Sequence, residues 1–134
     1  VGRSGGGGVR NTDPTPATVK LVRKRDEDRC AKCGFEISGV RGFDWSVSHR
    51  RPRGMGGDRR PEANLPGNLV LLHGHGTSGC HGEVESRRAD AIMSGQTVHK
   101  SAIPSQVAIE HAVHGWCYLD DVGDWSTDPV EVFA

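Results

Sequence analysis

Asn68-Leu69-Val70-Leu71-Leu72 runs into His73-Gly74-His75-Gly76-Thr77-Ser78-Gly79 and then into Cys80-His81-Gly82-Glu83-Val84-Glu85. A short unbroken apolar run bounded by turn residues reads as a buried strand, so a strand is expected over 68–72. The Gly-rich stretch His73–Gly79 reads as a turn. From Cys80 to Ile92 the chain reads as a helix, with Val84, Ala91 and Ile92 on one face and Gly95 just past the end.

Upstream, Phe43–His49 alternates loosely through Phe43, Trp45 and Val47 and reads as a second strand. Between the strands, Arg50–Pro66 holds five Arg, three Gly and three Pro, which suits a long ordered loop, and loops of that length are usually functional. Before the first strand comes Cys30-Ala31-Lys32-Cys33-Gly34, preceded by a basic helix expected over Thr18–Arg29, with Pro16 just ahead of it. Downstream, Pro104–Ala112 is ambiguous. Gly115–Tyr118 and Trp125 read as the arms of a hairpin turning at Asp120-Asp121-Val122-Gly123. Val1–Pro16, with four consecutive Gly, reads as a flexible tail, and the acidic stretch from Asp128 to Ala134 as frayed.

The organisation expected is therefore a single α+β domain: a tail over 1–16, a core over 17–100, and a C-terminal hairpin with an acidic tail over 101–134. At 134 residues the chain is long enough for one domain. Only 34% is hydrophobic, and it holds 19 Gly and 7 Pro. Such a thin core calls for a staple. No apolar stretch is long enough to span a membrane, and with no secretory h-region the expected location is cytoplasmic. The net charge of zero hides an asymmetry: residues 1–60 carry 14 Lys/Arg against 7 Asp/Glu, residues 61–134 carry 3 against 10. A basic half suggests a polyanionic partner, unless the halves fold together and neutralise each other.

Four Cys without a secretory signal read better as metal ligands or thiols than as disulfides. Cys30 and Cys33 have the two-residue gap of a zinc knuckle, and Gly34 suits its turn. Cys80 is the expected third ligand. His73 or His75 is the fourth, with His73 preferred because it directly ends the apolar strand. Cys30, Cys33, His73 and Cys80 would then bind a structural Zn²⁺. A redox pair fits less well, because a basic helix rather than a strand leads into the motif. Cys117 reads as a plain buried thiol, and His99, His111 and His114 show no ligand spacing.

His49, Asn68 and His81 fall at the junctions of this strand–loop–strand–helix unit. A neutral imidazole at a strand end, beside five Arg, suits a general base acting on a phosphodiester. Arg50, Arg51, Arg53, Arg59 and Arg60 would hold the phosphates. A divalent ion on His81 would stabilise the charge that develops during cleavage.

Together, Cys30-Ala31-Lys32-Cys33, His49-Arg50-Arg51-Pro52-Arg53-Gly54-Met55-Gly56-Gly57, Asn68-Leu69-Val70-Leu71-Leu72 and Gly79-Cys80-His81-Gly82 resemble the HNH endonucleases of the His-Me finger (ββα-metal) fold, in particular the small HNH proteins of actinobacterial phages. The resemblance spans Val19 to Ala91. It implies a metal-dependent nuclease hydrolysing double-stranded DNA to leave 5′-phosphate and 3′-hydroxyl ends. It also implies catalytic roles for His49 as general base, Asn68 as brace of its loop, and His81 as ligand of a catalytic Mg²⁺ or Mn²⁺. Glu85, one turn further along the helix, can point at the same ion. DNA packaging, with a terminase subunit as partner, is implied as the setting. Two departures are visible. His73 stands where the family's structural zinc usually has a Cys. Ser48 stands where the residue before the base is commonly an Asp or His ligand, which implies weaker metal affinity. The competing function is a non-catalytic zinc-stabilised module that binds DNA or protein.

Overall fold

The computed structural model describes residues 13–53 and 57–129. Most of the expected N-terminal tail, Gly54-Met55-Gly56 of the Arg-rich loop, and the end from residue 130 lie outside the described residues.

Helix α1 spans Pro16–Arg25. The Thr15 hydroxyl accepts the Thr18 N–H at 3.2 Å, and Pro16 occupies the first turn, where its missing N–H costs nothing. The helix stops four residues short of the expected Arg29. Asp26 takes the cap position and turns its carboxylate inward, and Glu27 and Asp28 follow in left-handed backbone (φ 58 and 53). Strands β1 (Trp45–His49) and β2 (Leu69–His73) pair antiparallel, with Val47 opposite Leu71 and His49 opposite Leu69. The loop between them is less irregular than expected: it contains 3-10 turns at Pro61–Asn64 and Pro66–Asn68.

The expected single helix after β2 is two, α2 (Gly79–Ser86) and α3 (Arg88–Ser94). Near the break the Ser86 hydroxyl donates to the Glu83 carbonyl, competing for a helical acceptor. Val84 and Ala91 are buried as expected, but the break leaves Ile92 53% exposed. Gly95 ends α3 at φ 75, and any β-carbon there would collide with the Ala108 carbonyl. The ambiguous stretch supplies a 3-10 turn at Pro104–Gln106 and strand β3 (Ile109–His111). Strand β3 pairs with β4 (Gly115–Leu119), which pairs with β5 (Trp125–Ser126), so the expected hairpin belongs to a three-stranded sheet.

A two-stranded ribbon is not stable in water on its own. Here it is covered on both faces. Leu69 and Leu71 pack with Val22, Ile37 and Trp45 on the α1 side. Val70 and Leu72 pack with Cys30, Val84 and Ala91, and also with Ile109, Cys117 and Leu119 of the C-terminal sheet. All of Leu69–Leu72 are fully buried, which is why β2 reads as a continuous apolar run rather than an alternating one. Residues beyond 100 thus share the core of residues 17–100.

Three buried arginines tie these layers together. Arg25 donates to the Pro66 and Leu69 carbonyls and to both oxygens of Asp26. Asp26 also accepts from Leu71 N–H and from His111 Nε2. Arg51 pairs with Asp58 and Glu62 and donates to the Ala102 carbonyl. Arg50, fully buried, donates to the carbonyls of Gly95 (2.9 Å), Gly67 (3.0 Å), Pro104 (2.9 Å) and Val107 (2.8 Å). Burial and the nearby Arg25 charge draw its pKa down to about 9, so it remains a cation at neutral pH. Arg50 and Arg51, expected to hold DNA phosphates, instead turn their guanidinium groups to partners inside the protein.

Leaving a buried hydrogen-bonding group unsatisfied typically costs about 1–3 kcal/mol. Arg50→Met leaves the Gly67, Gly95 and Val107 carbonyls without the guanidinium, while the Pro104 carbonyl keeps the Val107 N–H; with three buried acceptors unsatisfied it is expected to lose at least about 3 kcal/mol of unfolding free energy in urea denaturation. A solvated, phosphate-binding arginine would give a change near zero.

Candidate metal centre and catalytic cleft

The knuckle is built by local backbone. Cys30 N–H donates to the Phe35 carbonyl and Gly34 N–H to the Cys30 carbonyl, closing a turn that needs Gly34 at φ 80. Ala31 N–H donates to the Leu71 carbonyl, fastening the knuckle to β2. His73 ends β2, and Cys80 lies in the first turn of α2. One ligand atom from each of Cys30, Cys33, His73 and Cys80 lies within 4.8 Å of all the others, and Cys33 Sγ is 3.2 Å from His73 Nδ1. A tetrahedral zinc with bonds of about 2.0–2.3 Å spaces its ligand atoms about 3.5–4 Å apart, so the four fit such an ion. His73 Nε2 donates to the Glu36 carbonyl at 3.0 Å, which leaves Nδ1 free to ligate.

The thiols themselves favour a cation. Burial and the neighbouring sulfurs of Cys30 and Cys33 push the Cys80 thiol up to about 12. Burial works against the Cys30 thiolate too, but backbone contacts from Cys33, His73 and Lys32 outweigh it and hold its pKa below the usual thiol value. The Cys80 thiolate therefore forms readily only with positive charge beside it. His75 is not part of this group: its ring stacks on Phe43, and its Nδ1 faces Thr77. Cys117 is a buried strand thiol, as expected.

Asp26, His111 and His114 also bring ligand-type atoms together. Their atoms are already engaged. Asp26 binds Arg25 and His111, His111 Nδ1 accepts Val113 N–H, and His114 Nε2 donates to the Arg25 carbonyl. With a guanidinium already against the carboxylate, this is a lock between α1 and the C-terminal sheet. Sequence spacing gave His111 and His114 no role, because the lock exists only once β3 meets the end of α1.

A cleft of about 410 Å³ opens beside the ribbon, lined by Ser48 and His49 of β1, by Arg53, and by His81, Glu85 and Arg88 from the helices. The structure thus brings His49, His81 and Glu85 together. His49 is half-buried, and burial pulls its pKa below the ordinary imidazole value, against the opposing effect of its Asn64 hydrogen bond. His49 Nε2 donates to Asn64 Oδ1 at 2.7 Å. Asn68, 1% exposed, accepts Arg51 N–H and donates to the Ala63 carbonyl. It braces the loop as expected, and by holding the Pro61–Asn64 turn it presents Asn64 to His49. On α2, His81 Nδ1 lies 2.6 Å from Ser46 Oγ, and Nε2 lies 3.6 Å from Glu85 Oε1. Burial lowers the His81 pKa, with Glu85 opposing the shift. Ser48 is 3% exposed.

Of the five loop arginines, Arg50, Arg51 and Arg53 border the cleft, Arg50 and Arg51 with their guanidinium groups engaged inside the protein; Arg59 is exposed, and Arg60 pairs with Asp58 and the Lys100 carbonyl. Arg88 lines the cleft as well, 3.8 Å from Glu85 Oε2. Sequence reasoning missed Asn64, Ser46 and Arg88. Arg88 sits where a continuous helix was expected, and neither Asn64 nor Ser46 has spacing that marks it.

The chain matches no protein-family model, no curated protein and no solved structure.

Purified protein is expected to carry one Zn²⁺ per chain, released when a chelator or a thiol reagent is added in the presence of a colorimetric zinc indicator. Cys30→Ser and His73→Ala should each lower the zinc content and the melting temperature, whereas Cys117→Ser should leave the stoichiometry at one.

Proposed function

We propose that this protein is a metal-dependent DNA endonuclease of the HNH type that its motifs resemble, with a zinc-stapled ββα-metal core. The observation that carries the reading is the single cleft into which β1, the following loop and α2 bring His49, Arg53, His81 and Glu85. Donation of Nε2–H to Asn64 leaves the His49 Nδ1 lone pair as the proton acceptor. Its lowered pKa keeps the ring neutral at pH 7, so it can take a proton from water. Arg53 and Arg88, which line the cleft beside the inward-turned Arg50 and Arg51, hold the phosphate in this reading. Neighbouring ligand atoms of a six-coordinate ion with bonds of about 2.1 Å lie about 3 Å apart. A small adjustment of His81 Nε2 and Glu85 Oε1 suits Mg²⁺ or Mn²⁺. Such an ion, when bound, supplies positive charge at the scissile phosphate and the leaving oxygen.

Duplex DNA is the proposed substrate, cut to 5′-phosphate and 3′-hydroxyl ends, with phage DNA packaging and a terminase subunit as the proposed setting. Among the described residues no helix is long and apolar enough to cross a membrane. A second reading is a zinc-stabilised DNA- or protein-binding module without catalysis. Its support is Ser48, a weak ligand lining the cleft beside the base.

Nicking of supercoiled plasmid separates the two. The nuclease reading expects nicking only with added Mg²⁺ or Mn²⁺, reduced about 10²–10⁴-fold in His49→Ala. DNA binding without nicking at any metal concentration supports the module instead. The base acts when neutral, so the rate should fall as pH drops through the His49 pKa, with a midpoint below about 6.5. The Asn64 hydrogen bond raises that pKa, so Asn64→Ala should move the acid limb to still lower pH and reduce the maximal rate.

A further inference from the structure

An imidazole can ligate an ion through only one of its nitrogens at a time, and the hydrogen bond made by the other decides which. His81 Nδ1 faces Ser46 Oγ at 2.6 Å, and Ser46 is buried as the second residue of β1, opposite Leu72 of β2. Nε2, on the far side of the ring, faces the Glu85 carboxylate, and both residues line the cleft. At 3.6 Å the Nε2–Oε1 separation is too long for a strong hydrogen bond. The Ser46 contact is the short one, so it fixes the ring's orientation, and a hydroxyl can either accept from Nδ1 or donate to it.

We propose that Ser46 is a positioning residue: its hydroxyl oxygen accepts the Nδ1 proton of His81, holding the ring in the Nδ1–H tautomer with the Nε2 lone pair aimed at the ion site beside Glu85. The assignment rests on the reading of His81 as an ion ligand. It extends that reading to a side chain whose type and spacing carry no signal. A strand hydroxyl suits the task. It is short, it is fixed by the β1–β2 ladder, and it cannot compete for the ion as a carboxylate would.

Long-range ¹H–¹⁵N spectra of the zinc-loaded protein, taken before any other metal is added and at a pH where imidazoles are neutral, read the tautomer directly. The wild type is expected to show His81 as Nδ1–H, and Ser46→Ala to shift it toward Nε2–H. Ser46→Thr, which keeps the hydroxyl on a residue that strands favour, should retain the wild-type signal. Mn²⁺ titration followed by electron paramagnetic resonance should show affinity about 10–100-fold weaker in Ser46→Ala, with His81→Gln as the non-binding control. A wild-type His81 in the Nε2–H form overturns the proposal, as does an Ala variant with unchanged tautomer and Mn²⁺ affinity. A wild type that holds the Nδ1–H form but binds no Mn²⁺ overturns the ligand reading of His81 itself, and the proposal with it.

Discussion

The guanidinium of Arg50 is the fastening on which the rest of the molecule hangs. It follows directly on His49 at the end of β1, and its side chain enters a nest of backbone carbonyls from Gly67, Gly95, Pro104 and Val107. These come from the approach to β2, the end of α3 and the segment before β3. No carboxylate is among them, so the cation is held by dipoles alone, and its desolvation is offset only while every carbonyl stays in place. A chain with a third of its residues hydrophobic uses buried cations where a richer sequence would use Leu or Phe. Arg25 and Arg51 repeat the device, each joining one helix or loop end to a distant backbone segment. The same interaction that fixes the end of β1 therefore fixes the origin of His49.

Much of the fold was legible where residue type alone decides the environment. Leu69–Leu72 could only be buried on both faces. The Cys30–Cys33 gap with Gly34 could only be a tight turn, and Gly95 could only follow a helix. The four-residue metal group was legible for the same reason, down to His73 over His75, because a ligand that ends a strand has a fixed position. What escaped were features whose partners are backbone atoms. A carbonyl carries no residue identity, so nothing in Gly67, Gly95, Pro104 or Val107 announces that an arginine will be buried among them. The density of Arg in the loop pointed outward to phosphate, while two of the five point inward.

The cleft was legible in its ionisable members and opaque in its supports. His49, His81 and Glu85 meet because a ribbon and a helix bring them together, as their spacing suggested. Asn64 and Asn68 are the same residue type four positions apart, and only the 3-10 turns between them decide that one touches the imidazole and the other holds the turn. Strand β3 is three residues long, too short for alternation to emerge, so His111 and its bond to Asp26 had no precursor in the pattern.

Cys80 and His81 are consecutive residues in the first turn of α2. The thiol turns back toward the knuckle, and the imidazole turns toward Ser46 of the ribbon. One peptide unit is thus shared by a sulfur-rich group that could hold a metal and the imidazole side of the cleft, with no flexible linker to insulate them. Whatever loosens the sulfur side, whether oxidation or chelation, also tilts the platform on which the imidazole stands.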